Sequence, residues 1–183
     1  MAHSLLLIPV PELEPVVLPR IERRSGPYFA PDADTAHEVA AHITLLGPFA
    51  DLPAIDCGLV AELAEFFGDV LPFRFQLTGL TRFPGGAPYL SPSPAGPFRQ
   101  LTHELFRNFP EYPPYEGQFD EIIPHLSIPL SGETDEGTEL EQLHFELETR
   151  LPVDAYAREA RLFWWEPGAS RTLEVFPFGT TAA

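Results

Sequence analysis

The same four-residue pattern occurs twice in this chain, as His42-Ile43-Thr44-Leu45 and as His125-Leu126-Ser127-Ile128. Each copy reads histidine, apolar, hydroxyl, apolar. Because successive side chains of a strand point to opposite faces, each copy predicts a strand with an imidazole and a hydroxyl on one face. The composition of the chain predicts only about 0.1 chance copies, which favours a shared role over two unrelated core histidines.

The paired residue types indicate acid–base chemistry on a phosphoester. Opening a cyclic phosphodiester requires that water lose a proton and that the leaving ribose oxygen gain one, and imidazole can do both near neutral pH. The hydroxyls of Thr44 and Ser127 are predicted to donate to the non-bridging phosphate oxygens, where charge accumulates. The sequence has no compact metal-ligand spacing such as HExxH, so we expect neither a metal nor another cofactor.

The composition is that of a globular domain with a strongly acidic surface. The chain has 183 residues, 44% of them hydrophobic, and a formal net charge of −16. Because such a surface repels long polyanions, we expect a small nucleotide or an RNA end as partner and no duplex nucleic acid. The single Cys57 excludes an intramolecular disulfide and is expected to be a small buried hydrophobe. Apolar runs are too short for a membrane span or signal peptide, so we expect a cytoplasmic monomer with no membrane contacts.

Apolar periodicity and turn residues predict an alternation of strands and helices. Asp56 is expected to cap a helix that ends at residue 67, and Thr138 with Glu141 is expected to form the capping box of another. A further helix is predicted over residues 98–109, and the prolines between residues 11 and 34 leave room for only a short helix over 16–24. The predicted strands cover residues 4–10, 41–46, 73–80, 87–91, 121–130, 155–165 and 172–178.

The predicted elements repeat in order. Motif strand, helix, strand, turn and strand follow one another from His42, and the same order follows from His125. This repeat predicts two pseudo-symmetric lobes, about 35–91 and about 120–178, within a single domain of residues 1–183. A duplicated unit would place its two motif strands side by side about a pseudo-twofold axis.

Two longer segments resemble the signatures of the 2H phosphoesterase superfamily: Ala41-His-Ile-Thr-Leu-Leu-Gly-Pro-Phe49 and Ile123-Pro-His-Leu-Ser-Ile-Pro129. Within it, the chain looks most like the bacterial 2′-5′ RNA ligase and cyclic phosphodiesterase branch. The resemblance implies an α+β fold of two lobes, mostly antiparallel sheet with outer helices, around a cleft that holds His42, Thr44, His125 and Ser127. It also implies metal-independent hydrolysis of a cyclic phosphodiester to a phosphomonoester, with His125 as base and His42 as acid.

Four further residues are candidates for substrate binding. Phe49, Tyr89 and Tyr115 could stack on a base at the mouth of the cleft, the alternative for each being packing in the core or a loop. Arg82 could bind phosphate, the alternative being a solvated arginine. Three other functions stay open: 2′-5′ RNA ligation as the reverse reaction, a non-catalytic RNA-end or nucleotide-binding module on the same fold, and a structural or regulatory protein.

Overall fold

The computed structural model describes residues 2–33, 38–84, 86–119 and 121–179, which form two four-stranded antiparallel sheets and four α-helices. The strands are β1 His3–Pro9, β2 His42–Leu46, β3 Phe73–Arg82, β4 Pro88–Ser93, β5 Leu126–Ser127, β6 Val153–Ala157, β7 Glu159–Trp165 and β8 Arg171–Pro177. The helices are α1 Glu14–Ser25, α2 Cys57–Gly68, α3 Gly96–Asn108 and α4 Glu136–Glu148. The predicted α+β class with antiparallel sheets is therefore confirmed.

Both motif strands lie at the edge of a sheet. The first sheet has the order β2-β1-β7-β8, and the second has the order β5-β4-β3-β6. Cα atoms of β2 and β5 approach within 8 Å of one another, although the two strands belong to different sheets. The two sheets therefore meet at the edges that carry the histidine motifs.

Each sheet contains strands from both predicted lobes, so the division at about 35–91 and about 120–178 does not correspond to the two sheets. The strand predicted over 155–165 is interrupted at Arg158, where the chain crosses between the sheets. Before this residue β6 pairs with β3, and after it β7 pairs with β1. The predicted start of the first lobe lies outside the described residues, and the assignment of a single domain stays a prediction.

The helix starts differ in part from the sequence-based expectations. Asp56 caps α2 as predicted, its carboxylate accepting a hydrogen bond from the Leu59 amide at 2.9 Å. The predicted capping box of Thr138 and Glu141 is wrong, because Asp135 caps α4 by accepting from the Thr138 amide at 3.0 Å. Cys57 is exposed and not buried, since it begins α2.

Helix α1 covers more of the chain than the short helix expected over 16–24. Pro15 stands in its first turn, where a missing N–H costs no helical hydrogen bond, and Pro19 lies inside it. A short 3₁₀ helix, Pro11–Leu13, precedes it directly. Residues 11–25 of the proline-rich region therefore form a helical segment after the first strand.

The core is formed by the sheets and the helices packed against them. Helix α2 contacts β8, and α3 contacts β2, behind the first motif. Complete burial of one Leu, Ile or Phe side chain stabilises the fold by about 1.5–3 kcal/mol. None of the described helices is both long enough and apolar enough to span a bilayer. Large side chains that are less than 2% exposed include Leu6, Ile8, Ile43, Leu63, Phe67, Leu90, Phe98 and Phe163.

Candidate active site

Both motifs have the alternation that the sequence predicts. In the first, His42 and Thr44 keep accessible surface, and the apolar residues between and after them are at most 2% exposed. In the second, His125 and Ser127 keep accessible surface, and their apolar neighbours are fully buried. The imidazole and hydroxyl of each copy therefore share the open face of an edge strand.

The second motif strand is much shorter than the strand predicted over 121–130. Leu126 and Ser127 pair with Leu90 and Tyr89 of β4, and the Ile128 amide donates to the Pro88 carbonyl at 2.9 Å. Proline has no N–H to donate to a neighbouring strand, and this motif lies between Pro124 and Pro129. His125 therefore stands just before the paired residues.

The two histidines are held by equivalent hydrogen bonds. Nδ1 of His42 donates to the Ala40 carbonyl at 2.7 Å, and Nδ1 of His125 donates to the Ile123 carbonyl at 2.7 Å. A carbonyl oxygen only accepts, so the proton of each neutral ring resides on Nδ1. Each Nε2 then has a free lone pair with which to accept or return a proton.

Three aromatic rings surround His125. Its ring centroid lies 4.9 Å from that of Phe83 and 5.5 Å from that of Tyr89, both edge-on, and 6.5 Å from the nearly parallel Tyr115. Phe83 and Tyr89 stack on each other at 4.1 Å. Burial among these rings lowers the pKa of His125, and its bond to the Ile123 carbonyl acts in the opposite direction.

His42 lies in a more enclosed environment. The ring of Phe163, on β7, lies 6.5 Å from its own. Burial lowers the pKa of His42 to about 4, the hydrogen bond to the Ala40 carbonyl opposes this, and positive charge on His125 lowers it further. The electrostatic influence of one histidine on the other agrees with the contact between β2 and β5. Near pH 7 the His42 imidazole is therefore neutral.

A strained loop around Tyr115 contacts the end of the first motif strand and the histidine of the second motif. Tyr115 and Glu116 both have left-handed backbone conformations, with φ of 51° and 57°. Such conformations cost a residue other than glycine of order 1 kcal/mol, and they persist where the surroundings impose them. The Tyr115 amide donates to the Gly47 carbonyl, just after β2, at 2.9 Å, while its ring lies beside His125. The loop therefore places a half-buried phenol at the junction of the two sheets.

The remaining candidates from the sequence have different positions. Phe49 is 5% exposed and packs against Tyr112 and Phe109, so it belongs to the core and offers no stacking surface. Arg82 is exposed, donates from Nε to the Gly86 carbonyl at 2.8 Å and forms an ion pair with Glu136, so it holds the β3–β4 turn.

Tyr89 and Tyr115 do contact the histidine site, through His125. Phe83, which contacts it more closely, is a site residue that the sequence reasoning did not single out. No motif in the sequence marks Phe83. It could have been found only through the predicted hairpin, because Phe83 follows β3 directly and the β3–β4 hairpin brings its ring to Tyr89. Among the described residues, no cluster of three or more His, Cys, Asp or Glu side chains could hold a metal ion.

The family model of the 2′-5′ RNA ligase superfamily matches residues 13–169 of this chain. The chain belongs to this superfamily. The family comprises 2H phosphoesterases and their relatives, so membership supports a phosphoesterase or RNA-ligase-like activity. The match covers both histidine motifs and most of the two sheets, and a search of curated proteins gave no match.

Solved structures show the same fold. E. coli LigT complexed with 3′-AMP is similar with a TM-score of 0.56 and 15% identity, over 97% of this chain and 98% of that one. The protein TT0787 of Thermus thermophilus is similar with a TM-score of 0.57 and 15% identity, over 99% and 100% of the two chains. A structure described as a phosphoesterase has a TM-score of 0.53 and 13% identity, over 97% and 98%. At these identities the likeness shows the fold alone.

Proposed function

We propose that this protein hydrolyses a cyclic phosphodiester of nucleotide size, such as a 2′,3′-cyclic nucleotide, to a phosphomonoester. The observation that carries the proposal is the matched pair of Nδ1 hydrogen bonds at 2.7 Å, which leaves both Nε2 atoms available at the edges where the sheets meet. Two rings held in one tautomer are what proton removal and proton delivery on either side of a phosphorus atom require.

In the proposed reaction the oxygen of a water molecule forms a bond to phosphorus while the bond from phosphorus to one ribose oxygen breaks. Nε2 of His125 takes the proton that the water loses. Protonated Nε2 of His42 gives a proton to the departing ribose oxygen. The cyclic phosphate is thereby opened to a phosphomonoester. Proton exchange with solvent then returns both imidazoles to their starting forms.

The anionic substrate supplies the condition that the His42 role needs. Burial keeps the pKa of His42 near 4, so its ring is neutral at pH 7 in the absence of an anion. A phosphodiester anion next to Nε2 favours the imidazolium form, because an opposite charge within about 4–6 Å raises the pKa of a base. The acid therefore forms where the substrate is bound.

Two hydroxyls support the charge that develops on phosphorus. Thr44 and Ser127 lie two residues after the histidines on the same accessible faces. Each can donate to a non-bridging oxygen, and one such donor contributes about 10²- to 10³-fold to the rate in comparable sites. Ser127 retains the hydroxyl with less bulk than a threonine would have.

A nucleotide-sized substrate fits the remaining observations. The formal net charge of −16 disfavours long RNA, which binds largely through phosphate neutralisation. Tyr115 offers a half-buried ring beside His125 on which a base could stack. The nucleotide complex of the structurally similar LigT agrees with a ligand of this size. Ligation of two RNA ends is less favoured, since both polyanions would have to approach this surface.

The test is turnover of 2′,3′-cyclic nucleotides followed by ³¹P NMR with wild-type protein, His42→Ala and His125→Ala. Each variant is expected to lose about 10²- to 10⁴-fold in rate while keeping its circular dichroism spectrum, as expected for loss of one proton-transfer group. His144→Ala, at an exposed position on α4, is the matched control and should keep wild-type turnover.

The other outcomes separate the alternatives. Unchanged turnover in either site variant contradicts the mechanism. Cyclic nucleotide bound by the wild-type protein without product would instead indicate a binding module, and no binding at all would indicate a structural protein. RNA with cyclic and 5′-hydroxyl ends, added in a parallel reaction, would reveal ligation if joined 2′-5′ products form.

A further inference from the structure

The carboxylate of Glu14 is bound to the backbone just before the first histidine motif. Glu14 begins α1 and is half-buried. Its two carboxylate oxygens lie 3.0 and 2.9 Å from the Ala40 amide nitrogen, and one of them also accepts from the Ala41 amide at 2.9 Å. The side chain thus joins helix α1 to the segment that leads into β2.

One peptide group links this carboxylate to the catalytic ring. The Ala41 N–H that donates to Glu14 and the Ala40 carbonyl that accepts from His42 Nδ1 belong to the same peptide unit. Because resonance delocalises electrons between the nitrogen and oxygen of a peptide, a negative charge at its N–H makes its carbonyl oxygen a stronger acceptor. The contacts form a continuous path of carboxylate, peptide and imidazole.

The second histidine has no such path. Its Nδ1 donates to the Ile123 carbonyl, and the next residue is Pro124. The nitrogen of that peptide carries no hydrogen, so no carboxylate can bind there and polarise the carbonyl. The two histidines are therefore held by hydrogen bonds of the same length but of unequal electrostatic support.

We propose that Glu14 is a positioning residue that acts on His42 through the Ala40–Ala41 peptide, holding the Nδ1–H tautomer and favouring the imidazolium form. The consequence for the reaction, which rests on the proposed function, is that Glu14 helps His42 to hold the proton that the departing ribose oxygen later receives.

The charged groups around Glu14 and His42 raise and lower the pKa values of these two residues. Burial raises the pKa of Glu14, while its two backbone donors and Arg161 on β7 lower it and Glu22 on the same helix raises it. The phenol of Tyr28 also experiences the charge of Glu14. A positive charge on His125, when it is protonated, opposes protonation of His42. Arg161 itself is held by Glu159, which accepts from its Nε at 2.8 Å and from its Nη2 at 2.6 Å.

The size of the effect follows from the distance. Two hydrogen bonds and one peptide separate the Glu14 carboxylate from Nδ1 by at most about 8 Å. At an effective dielectric constant of about 20, one charge at that distance raises the pKa of an imidazole by roughly 1.5. Because the Glu14 carboxylate is only half-buried, solvent screens part of this interaction, and we expect Glu14→Gln to lower the pKa of His42 by about 1.

The experiment is NMR of protein labelled with ¹⁵N-histidine, at neutral pH. In wild-type protein the Nδ1 proton of His42 should resonate downfield of that of His125, because its acceptor is more polarised. Glu14→Gln should move the His42 signal upfield toward that of His125 and leave His125 unchanged. Glu22→Gln, which removes a charge from the exposed face of α1, should change neither signal.

Activity is the second readout. With cyclic nucleotide as substrate, Glu14→Gln should lower kcat roughly tenfold with little change in KM, since a tenfold change corresponds to about one pKa unit. An unchanged His42 signal in folded Glu14→Gln overturns the inference. If that variant does not fold, coincident Nδ1 proton shifts for the two wild-type histidines overturn it instead.

The NMR readout needs no turnover, which separates this inference from the proposed function. Inactive wild-type protein whose His42 signal responds to Glu14→Gln would contradict the hydrolase function and support the action of Glu14 on His42. Active wild-type protein whose His42 signal does not respond to Glu14→Gln would contradict only the action of Glu14 on His42.

Discussion

The half-buried His42 ring makes the stability of the fold depend on pH. Its pKa is about 4 in the folded protein and 6.5 ordinarily. Between these values the unfolded chain binds more protons than the folded chain, so the free energy of unfolding falls as the pH falls through this window. The free energy of unfolding is therefore not reduced by His42 well above pH 6.5, and it is reduced progressively as the pH falls from 6.5 to 4.

The magnitude follows from the same two values. A difference of 2.5 between 6.5 and 4 corresponds to a total of about 3 kcal/mol. Between pH 7 and pH 5 the loss is about 2 kcal/mol. His42→Asn removes the titrating group, and its side-chain amide nitrogen can still donate to the Ala40 carbonyl in place of Nδ1. The variant should therefore lose about 2 kcal/mol less than wild-type protein over this interval.

Urea unfolding, followed by the fluorescence of Trp164 and Trp165, measures the difference. The titration is run at several pH values from 7 to 5 in buffers without phosphate, because an anion bound at the site would raise the pKa of His42. The acid response of the carboxylates is common to both proteins and cancels. His144→Asn controls for the loss of one histidine at an exposed position. Equal pH dependence in wild-type protein and His42→Asn would refute a lowered pKa of the ring at this position.

Two further predictions concern single hydroxyl and carboxylate groups. Ser127→Ala should lower kcat for cyclic nucleotides about 10²-fold without unfolding the protein, and Ser127→Thr should stay within a few-fold of wild type; equal rates for the two variants in steady-state kinetics would exclude a catalytic hydroxyl. Asp56→Ala should destabilise the protein by about 1 kcal/mol in urea unfolding through loss of the α2 cap, and Asp56→Ser should recover most of it. Identical unfolding midpoints for the two variants would show that the cap contributes nothing.

The features that sequence could predict are those set by local rules. The alternation of His42 and Thr44 with buried aliphatic residues follows from the two-residue period of a strand, and it is observed in both motifs. The cap at Asp56 follows from its position before an apolar helical pattern, and it is also observed. Both depend on a few neighbouring residues and on no contact distant in the chain.

The features that sequence could not predict depend on partners far along the chain. No local pattern marks Arg158 as the point where one apparent strand divides between two sheets, since the pairing partners of β6 and β7 lie on β3 and β1. The same holds for Phe49, whose burial is decided by Tyr112 and Phe109. An aromatic residue beside a motif predicts a base-stacking surface only if its ring is left uncovered, and here the segment that follows α3 covers it.

The sequence does carry the difference between the two histidines, although at positions outside the four-residue pattern. The residue before His42 is Ala41, whose N–H is available to Glu14, whereas the residue before His125 is Pro124, which has none. A duplicated pattern supplies two rings in the same tautomer, but the proposed reaction needs one ring protonated and the other neutral. On the inference drawn from Glu14, the carboxylate opposite one ring and the proline nitrogen next to the other favour protonation of His42 over His125 without moving either imidazole.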